Sequence, residues 1–537
     1  MQKQFPDFGF TLFLLLLFSN CSPTLELQSV EVLPTVEVTN IEEWSENKNY
    51  RLSGKKYQFP YQITEVQYQP FWQQMAVNYT LPRRKKAYGL YNVANEQLNW
   101  ANHGDYGLSL LQRDIAMASY QDKKILLNSA NGMPIRWVNG EEFAVVDDSV
   151  ALKLGNQFSR VDLRTGTTLW SRQGEGRFDG WMSDELDGDW MYVIADGLHG
   201  FNLNTGKGWY HQATTDYDAT RGGKVVASGI MLGLSVLSAA TGGPFFDDFL
   251  YFDPLRAHNI HAKPKIAGDE LYFADRKSII GLHKKTGQLF WETQVKEELG
   301  VSELSILSQS DLLLLGKGYR YVDYALDKDK QAALYLMDIN NGEIITKKEL
   351  PKGEIIVNHA INDAFIYVLS GGHIYRFDKE LEKGRRVEIP ATYGAPLRVV
   401  TWSSVGYDDF VETDRPDFPL VIRTMQGVVA LHPVTLKELW YKRLGNLLQD
   451  QPQVLNVDRW QMPILLQDAE LRRSWVDETN EVFWFAQNGK IVGLDLLNAG
   501  GTVAEFELAS DDFWYVGEGV LVQFGGRDVR ILKLVLE

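Results

Sequence analysis

The residues whose types and spacing could do chemistry are two histidines and a few carboxylate pairs. His258 and His261 stand in an H-x-x-H spacing, but two imidazoles are too few for a zinc site. Adjacent carboxylates could ligate calcium or act as a general base, and they occur at Asp247–Asp248, Asp408–Asp409 and Asp511–Asp512. None of these pairs falls in a recognisable motif. We therefore interpret them as solvated loop residues and expect no catalytic, cofactor-binding or metal site.

Cys21 is the one other reactive side chain, and it is the only cysteine of the chain, so no intramolecular disulfide can form. An apolar run from Gly9 to Phe18 precedes Ser19-Asn20-Cys21. A run of about ten residues is too short to cross a hydrocarbon core of about 30 Å as a helix. Phe18 to Cys21 resembles a bacterial lipobox, in which the cysteine becomes the lipidated first residue. We expect lipidation at Cys21.

This start divides the chain into three parts. Residues 1–21 are interpreted as a lipoprotein signal peptide, residues 22–50 as a polar tether, and residues 51–537 as the folded body. The residues after Cys21 lack an acidic cluster of the kind that resembles a surface-export signal. We therefore predict a membrane-anchored lipoprotein of the cell envelope, in the outer membrane and facing the periplasm.

The composition excludes one class of partner. The 54 basic and 70 acidic residues give a formal charge of −16, which argues against binding to a phosphate backbone. The basic cluster Arg83–Lys86 is interpreted as a solvated loop before a strand. Hydrophobic residues make up 45% and aromatic residues 12% of the chain, a composition that suits packed sheets. We expect no nucleic-acid partner.

A repeat runs through the body, and its best copy is Val161–Trp170. The template is an apolar strand end, Asp162, two residues, Thr165-Gly166, three residues and Trp170. The Asp side chain can accept hydrogen bonds from backbone N–H groups further on, and Gly takes the positive φ that a tight turn needs. The next strand then carries Trp170 at a fixed distance beyond the turn, where it can lie flat against a neighbouring sheet.

Other copies keep parts of the template. They include Thr205-Gly206 followed by Tyr210 with Trp209 one place early, a weaker copy from Ser238 to Phe246, Thr286-Gly287 followed by Trp291, Asp338–Gly342, and His432 to Trp440. Fainter copies stand at 92–100, 128–137, 378–386 and 495–502. Because the template recurs, whereas a catalytic site does not, we interpret its residues as structural.

Upstream of several turns lies a further apolar strand behind a polar corner, as at 190–194 and 364–369. Strand, corner, strand, Thr-Gly turn and strand is the order of a propeller blade. The sequence therefore predicts an all-β fold, a β-propeller of four-stranded blades. We expect eight blades within a range of seven to ten, with insertions at Tyr321–Gln331 and Ser404–Pro419.

These residues resemble the PQQ-like repeat family, whose tryptophan-docking motif has the form Ala-x-Asp-x-x-x-Gly-x-x-x-Trp. The resemblance is specific at Asp162–Trp170 and good at His283–Trp291. The family contains quinoprotein dehydrogenases, which hold PQQ and Ca²⁺, and non-catalytic scaffolds, including the propeller lipoprotein of the outer-membrane β-barrel assembly machinery. Many quinoprotein alcohol dehydrogenases carry adjacent cysteines under the quinone, and this chain has no second cysteine.

The resemblance favours a non-enzymatic, lipid-anchored scaffold that binds other envelope proteins, with outer-membrane protein assembly as one specific role. A PQQ-dependent oxidoreductase is the alternative from a different class. A carbohydrate- or ligand-binding propeller is the third, since the 15 tryptophans could supply stacking platforms. Bound PQQ or a protein partner would discriminate between the first two.

Overall fold

The computed structural model is built almost entirely from β-strands. It describes residues 28–31, 33–45, 49–120, 123–139, 141–146, 148–154, 157–174, 184–194, 197–213, 260–296, 299–322, 325–327, 331–401, 418–444, 474–477, 480–487, 490–507, 513–517 and 519–536. Over these ranges the helical elements are two short 3-10 helices, Pro82–Arg84 and Ala391–Tyr393. In that part of the chain, no helix is long and apolar enough to span a membrane.

The first three blades follow one another along the chain as antiparallel sheets. Blade 1 contains β4 (Gln62–Gln69), β5 (Gln74–Leu81), β6 (Lys85–Asn92) and β7 (Gln97–His103), with β1 (Gln28–Ser29) added outside β7. Blade 2 contains β8 (Gly107–Leu110), β9 (Ile115–Tyr120), β10 (Lys123–Asn128) and β11 (Pro134–Asn139). Blade 3 contains β12 (Glu141–Val146), β13 (Ser149–Leu154), β14 (Gln157–Asp162) and β15 (Thr168–Gln173).

The next three blades keep this order. Blade 4 contains β16 (Asp184–Asp187), β17 (Trp190–Ile194), β18 (Leu198–Asn202) and β19 (Gly208–His211). Blade 5 contains β20 (Ile260–Ala267), β21 (Glu270–Asp275), β22 (Ser278–His283) and β23 (Leu289–Gln294). Blade 6 contains β24 (Ser302–Ile306), β25 (Asp311–Gly316), β28 (Ala333–Asp338) and β29 (Ile344–Glu349), and a hairpin of β26 (Arg320–Val322) and β27 (Ala325–Asp327) is inserted in it.

Four further sheets complete the set. Blade 7 contains β30 (Ile356–Ile361), β31 (Phe365–Ser370), β32 (His373–Asp378) and β33 (Gly384–Glu388), and blade 8 contains β34 (Pro396–Val399), β35 (Leu420–Thr424), β36 (Gly427–Leu431) and β37 (Glu438–Arg443). Blade 9 contains β38 (Ser474–Asp477), β39 (Val482–Gln487), β40 (Lys490–Asp495) and β41 (Thr502–Glu507). Blade 10 contains β42 (Phe513–Gly517), β43 (Val520–Gly525), β44 (Asp528–Leu536), β3 (Tyr50–Gln58) and β2 (Glu37–Trp44).

The middle strands of a blade are buried on both faces. In β35, β36 and β25 nearly every residue is buried, which explains their continuous runs of Leu, Val and Ile. Such runs form because each sheet packs face to face between two others. Leu313 and Leu315 of blade 6, for example, share a core with Ile366 and Val368 of blade 7.

The sheets form a closed ring. Every consecutive pair of blades shares buried apolar contacts, from blades 1 and 2 through to blades 9 and 10. The last contact joins the two ends of the chain, because Tyr57 and Val522 of blade 10 pack with Met75 and Tyr91 of blade 1. The N-terminal strand β3 pairs with the C-terminal strand β44 over nine residues, from Tyr50–Leu536 to Gln58–Asp528.

The structure bears on the expected blade count and on one expected insertion. The count of eight blades is not confirmed, since the described residues form ten sheets of four or five strands. The faint copies at 92–100, 128–137, 378–386 and 495–502 do form hairpins within blades. β1 and β2 lie within residues 22–50, the segment interpreted as a tether. The insertion expected at 321–331 is confirmed as the β26–β27 hairpin.

Candidate functional site

The turn at Asp162 is stabilised by the aspartate side chain. One carboxylate oxygen, Oδ1, accepts hydrogen bonds from the backbone N–H of Arg164 (3.0 Å) and of Thr165 (2.7 Å), and from Thr165 Oγ1 (2.8 Å). The Gly166 N–H donates to the Asp162 carbonyl at 2.8 Å. The turn at Asn202 repeats this arrangement, with Thr205 Oγ1 at 3.2 Å from Asn202 Oδ1.

This turn makes folding depend on pH. Hydrogen bonds from the backbone N–H and the hydroxyl of Thr165 lower the pKa of Asp162. A carboxyl whose pKa is lowered on folding stabilises the protein above its unfolded pKa, and the contribution is lost as the pH falls through the folded pKa. We expect wild type to lose stability relative to Asp162→Asn as the pH falls from about 5 to about 2. Urea unfolding across that range checks this, and parallel profiles would contradict it.

Five tryptophans join one blade to the next. Each indole N–H donates to a backbone carbonyl in the turn of the following blade: Trp100 to Ser129 (2.8 Å), Trp170 to Leu203, Trp209 to Lys284 (2.8 Å), Trp291 to Ile339 (2.9 Å) and Trp440 to Leu496 (3.3 Å). Trp100, Trp291 and Trp440 are buried. The partner turn is 29 to 75 residues away in sequence, so this repeat ties separate blades together.

The turn glycines lie against these rings. Gly206 and Gly287 each have a φ of 67°, a conformation that other residues rarely adopt. A Cβ on Gly206 would meet the Trp170 ring at 2.8 Å, and one on Gly287 would meet the Trp209 ring at 2.6 Å. Thr286 follows the same pattern as the other turn threonines, with its Oγ1 accepting from the Gln288 N–H at 3.3 Å.

Two docking positions differ from the sequence interpretation. In blade 4 the docking aromatic is Trp209 rather than Tyr210, because β18 and β19 pair without the bulge that blade 3 has before Trp170. In blade 2 the position opposite Leu126 holds Arg136, whose side chain covers Gly166, while Trp137 is 40% exposed. In blade 4 the absence of one bulged residue therefore decides which side chain docks. Blade 2 has the bulge, and Arg136 takes the docking position there.

The first strands of the blades form a second set of connections. First strands of neighbouring blades contact one another, as β20 does β24 and β30 does β34, which places them on the inner side of the ring. Polar side chains bridge them: Gln67 Oε1 accepts from Leu110 N (2.8 Å), Asn358 Oδ1 accepts from Val399 N (2.8 Å), and Arg398 Nη2 donates to Ser474 Oγ (2.5 Å). The repeat template did not include these residues.

One further bridge on the inner side is ionic. Glu303 of β24 contacts Lys317 Nζ at 2.5 Å and His359 Nδ1 of β30 at 2.9 Å. Burial raises the pKa of Glu303, but the charges of Lys317 and His359 outweigh this effect and hold the pKa well below its usual range. His359 is only 7% exposed and Lys317 12%. The bridge joins blades 6 and 7 on the inner side of the ring.

Removing the carboxylate from this bridge leaves the shielded Lys317 ammonium and the His359 imidazole without their partner. We expect Glu303→Gln to lower the free energy of unfolding by about 2 kcal/mol. Glu96→Gln is the matched control, because its partner Lys55 is exposed, and we expect it to change stability by less than about 1 kcal/mol. Urea unfolding of both variants measures this, and equal effects would contradict the inner bridge.

The remaining candidate residues are not brought together. Cys21, His258 and the aspartate pairs at 247, 408 and 511 lie outside the described residues, as does the repeat copy from Ser238 to Phe246. Among the residues that are described, no group of three or more His, Cys, Asp or Glu side chains could hold a metal ion. The functional side chains that the structure describes are therefore the tryptophans that dock between blades and the polar residues that bridge the first strands.

A ring of antiparallel four- and five-stranded sheets, joined by tryptophans that dock on the glycine-bearing turns of the next blade, defines a PQQ-like β-propeller. Residues 155–387 match the family model of the outer membrane protein assembly factor BamB. The chain is a propeller that resembles this family over those residues. No curated protein matches the chain.

Solved structures show distant likeness. BamB from Moraxella catarrhalis is 12% identical, with 69% of this chain and 93% of that chain covered and a TM-score of 0.34. The computationally designed Ika8 protein is also 12% identical, covering 73% and 94% of the two chains with a TM-score of 0.37. Kluyveromyces lactis Hsv2 is 12% identical, covering 62% and 100% with a TM-score of 0.28. The fold assignment rests on the sheets and the family match.

Proposed function

We propose that this chain is a non-catalytic, lipid-anchored propeller of the bacterial cell envelope that binds protein partners in outer-membrane protein assembly. The match of residues 155–387 to an outer membrane protein assembly factor carries this proposal. The packing supports it, because the residues that give the repeat its quinoprotein-like appearance fill spaces between blades. Trp291, for example, is 8% exposed and bonded to the next blade.

The anchor is a separate part of the proposal. Cys21 is the only cysteine and follows an apolar run, and acyl chains on it would hold the protein at a membrane, since each buried methylene contributes about 0.8 kcal/mol. We propose that the chain is attached to the outer membrane and faces the periplasm. A Cys21→Ala variant is expected to leave the membrane fraction when cells are fractionated; retention in that fraction would overturn the anchor.

Affinity purification of the tagged full-length chain from detergent-solubilised envelopes tests the scaffold. We expect a protein of the outer-membrane assembly apparatus to co-purify in a fixed ratio, identified by mass spectrometry. The same purified protein is then incubated with PQQ and Ca²⁺. Quinone absorbance together with dye-linked alcohol or sugar oxidation would overturn the non-catalytic proposal and favour a quinoprotein oxidoreductase.

A further inference from the structure

The outermost strands of the blades carry a repeated β-bulge. In blades 2, 3, 5, 6, 8 and 9 one extra residue stands immediately before the docking position, and the paired strand has no residue opposite it. All six extra residues are apolar. Ile135 and Val503 are partly buried, whereas the other four are about half exposed: Leu169 (52%), Phe290 (46%), Ile345 (55%) and Leu439 (48%). The same position in blade 1 holds the polar Asn99. We call these four side chains the rim residues.

Blade 1 differs from these bulged blades in a second way, because its outer edge is covered by β1. β1 pairs with the end of β7, Gln28 with His103 and Ser29 with Asn102, and the Val30 N–H donates to the Ala101 carbonyl at 2.9 Å. These paired residues come directly after the docking Trp100. The blade edge after the docking position is thus a place where an extended segment adds as a further strand.

Blade 10 shows which kind of segment fits such an edge. β2 pairs antiparallel with β3 over eight residues, from Glu37–Gln58 to Trp44–Arg51. β2 is acidic and apolar (EVTNIEEW), whereas β3 is basic (YRLSGKKYQ). Glu42 contacts Arg51 at 3.1 Å, and the Arg51 guanidinium lies over the Trp44 ring at 5.2 Å. The side chains of the added strand complement the charge of the edge strand.

Two uncovered edges share this chemistry. β29 of blade 6 (IITKKE) has Ile345 followed by Lys347 and Lys348, and β37 of blade 8 (ELWYKR) has Leu439 followed by Lys442 and Arg443. Each is the last strand of its sheet among the described residues. The chain as a whole carries a charge of −16, whereas each of these edges carries two cations after its bulge. In blade 5, Phe290 is followed by Glu292 instead of a cation.

We propose that the outer edges of blades 6 and 8 bind extended acidic and apolar segments of partner polypeptides as added β-strands. An added strand satisfies the backbone hydrogen bonds of the edge, and its apolar side chains cover Ile345 or Leu439. Its carboxylates face the cations that follow the bulge, as Glu42 faces Arg51 in blade 10. This inference rests on the proposed scaffold function for the biological partner, and it names the chemistry of that partner.

The test uses the full chain and a fluorescent synthetic peptide with the sequence TVEVTNIEEW of residues 35–44, titrated by fluorescence anisotropy. We expect two peptides to bind per protein. Ile345→Glu and Leu439→Glu are each expected to leave one, and the double variant to lose at least tenfold in affinity. Phe290→Glu on blade 5 is the matched control and is expected to keep both sites. All three side chains are exposed, so thermal unfolding should be unchanged.

A second peptide tests whether the backbone is involved. Methylation of alternate peptide amides removes the N–H groups that an added strand needs, and it is expected to abolish binding. Equal binding of the methylated peptide, equal loss in Phe290→Glu, or no saturable binding would each overturn the inference. The titration contains no envelope component, so its failure leaves the co-purification result intact, and a failed co-purification leaves the titration intact.

Discussion

Replacement of Gly54 by valine is expected to destabilise the whole ring. Gly54 lies in β3, and a Cβ there would stand 2.9 Å from the Leu532 Cα and 3.0 Å from the Ile531 carbonyl carbon of β44. These are backbone atoms of the paired strand, so the clash forces the two strands apart. Because β3 and β44 join the chain ends, we expect the free energy of unfolding to fall by about 3 kcal/mol.

Lys55→Val is the matched control for this substitution. Lys55 is the next residue of the same strand, its side chain is 40% exposed, and its ion pair with Glu96 is exposed as well. Valine suits a strand, so we expect a change of less than about 1 kcal/mol. Urea unfolding followed by tryptophan fluorescence compares the two variants. If Gly54→Val unfolds at the same urea concentration as Lys55→Val, the pairing of β3 with β44 does not close the ring.

Replacement of Trp291 by alanine is the second large effect that we expect. The ring is 8% exposed, stacks on Tyr272 with centroids 5.8 Å apart, and its N–H donates to Ile339 at 2.9 Å. Its face lies against Gly342 of blade 6. Loss of a buried tryptophan leaves a cavity between two blades and costs about 3–5 kcal/mol. Urea unfolding of Trp291→Ala is therefore expected to show a free energy of unfolding lower than that of wild type by about 3–5 kcal/mol.

Trp44→Ala provides the comparison for Trp291→Ala. Trp44 is 44% exposed and contacts Arg51 through its ring, an interaction that contributes about 0.5–1 kcal/mol at exposed sites. A Trp291→Ala variant as stable as Trp44→Ala would mean that the repeat tryptophans are surface platforms rather than contacts between blades. Such a result would favour the ligand-binding interpretation of the 15 tryptophans.

Local chemistry explains why the sequence predicted the blade. Asp162, Thr165 and Gly166 specify a turn through hydrogen bonds that span at most five residues, so their types and spacing are sufficient. The prediction of the blade number, in contrast, depended on whether the faint copies of the repeat were counted as blades. At Asp378 the docking aromatic is missing and Arg385 stands opposite Arg376. The hairpin still forms, because β32 buries Ile374, Tyr375 and Phe377. The copies, counted with or without the aromatic, number up to ten, and the expectation of eight blades came from the resemblance to the repeat family.

The repeat pattern could not predict the contacts between blades. Arg398 reaches Ser474 and Glu303 reaches His359 across sequence separations that no short motif covers. These contacts exist because the ring brings first strands together. The choice of Trp209 over Tyr210 likewise depends on one bulged residue in the pairing of two strands, which the order of residue types does not reveal. The pair Leu439–Trp440 shows the same effect, since the bulge turns leucine outward and tryptophan inward.

Closure of one ring by the two ends of the chain is the central claim, and a disulfide between those ends tests it most directly. Ser53 and Lys533 are Cα partners in the β3–β44 pair, and partners in antiparallel strands lie about 4.5–5.5 Å apart, within the range of a disulfide. In a Cys21→Ser background, the Ser53→Cys, Lys533→Cys variant is oxidised while folded and run on a non-reducing denaturing gel. Ring closure predicts near-complete conversion to a faster-migrating species, whereas Ser53→Cys combined with Lys442→Cys on blade 8 stays unlinked. A pair at 53 and 533 that remains reduced would contradict the closed ring.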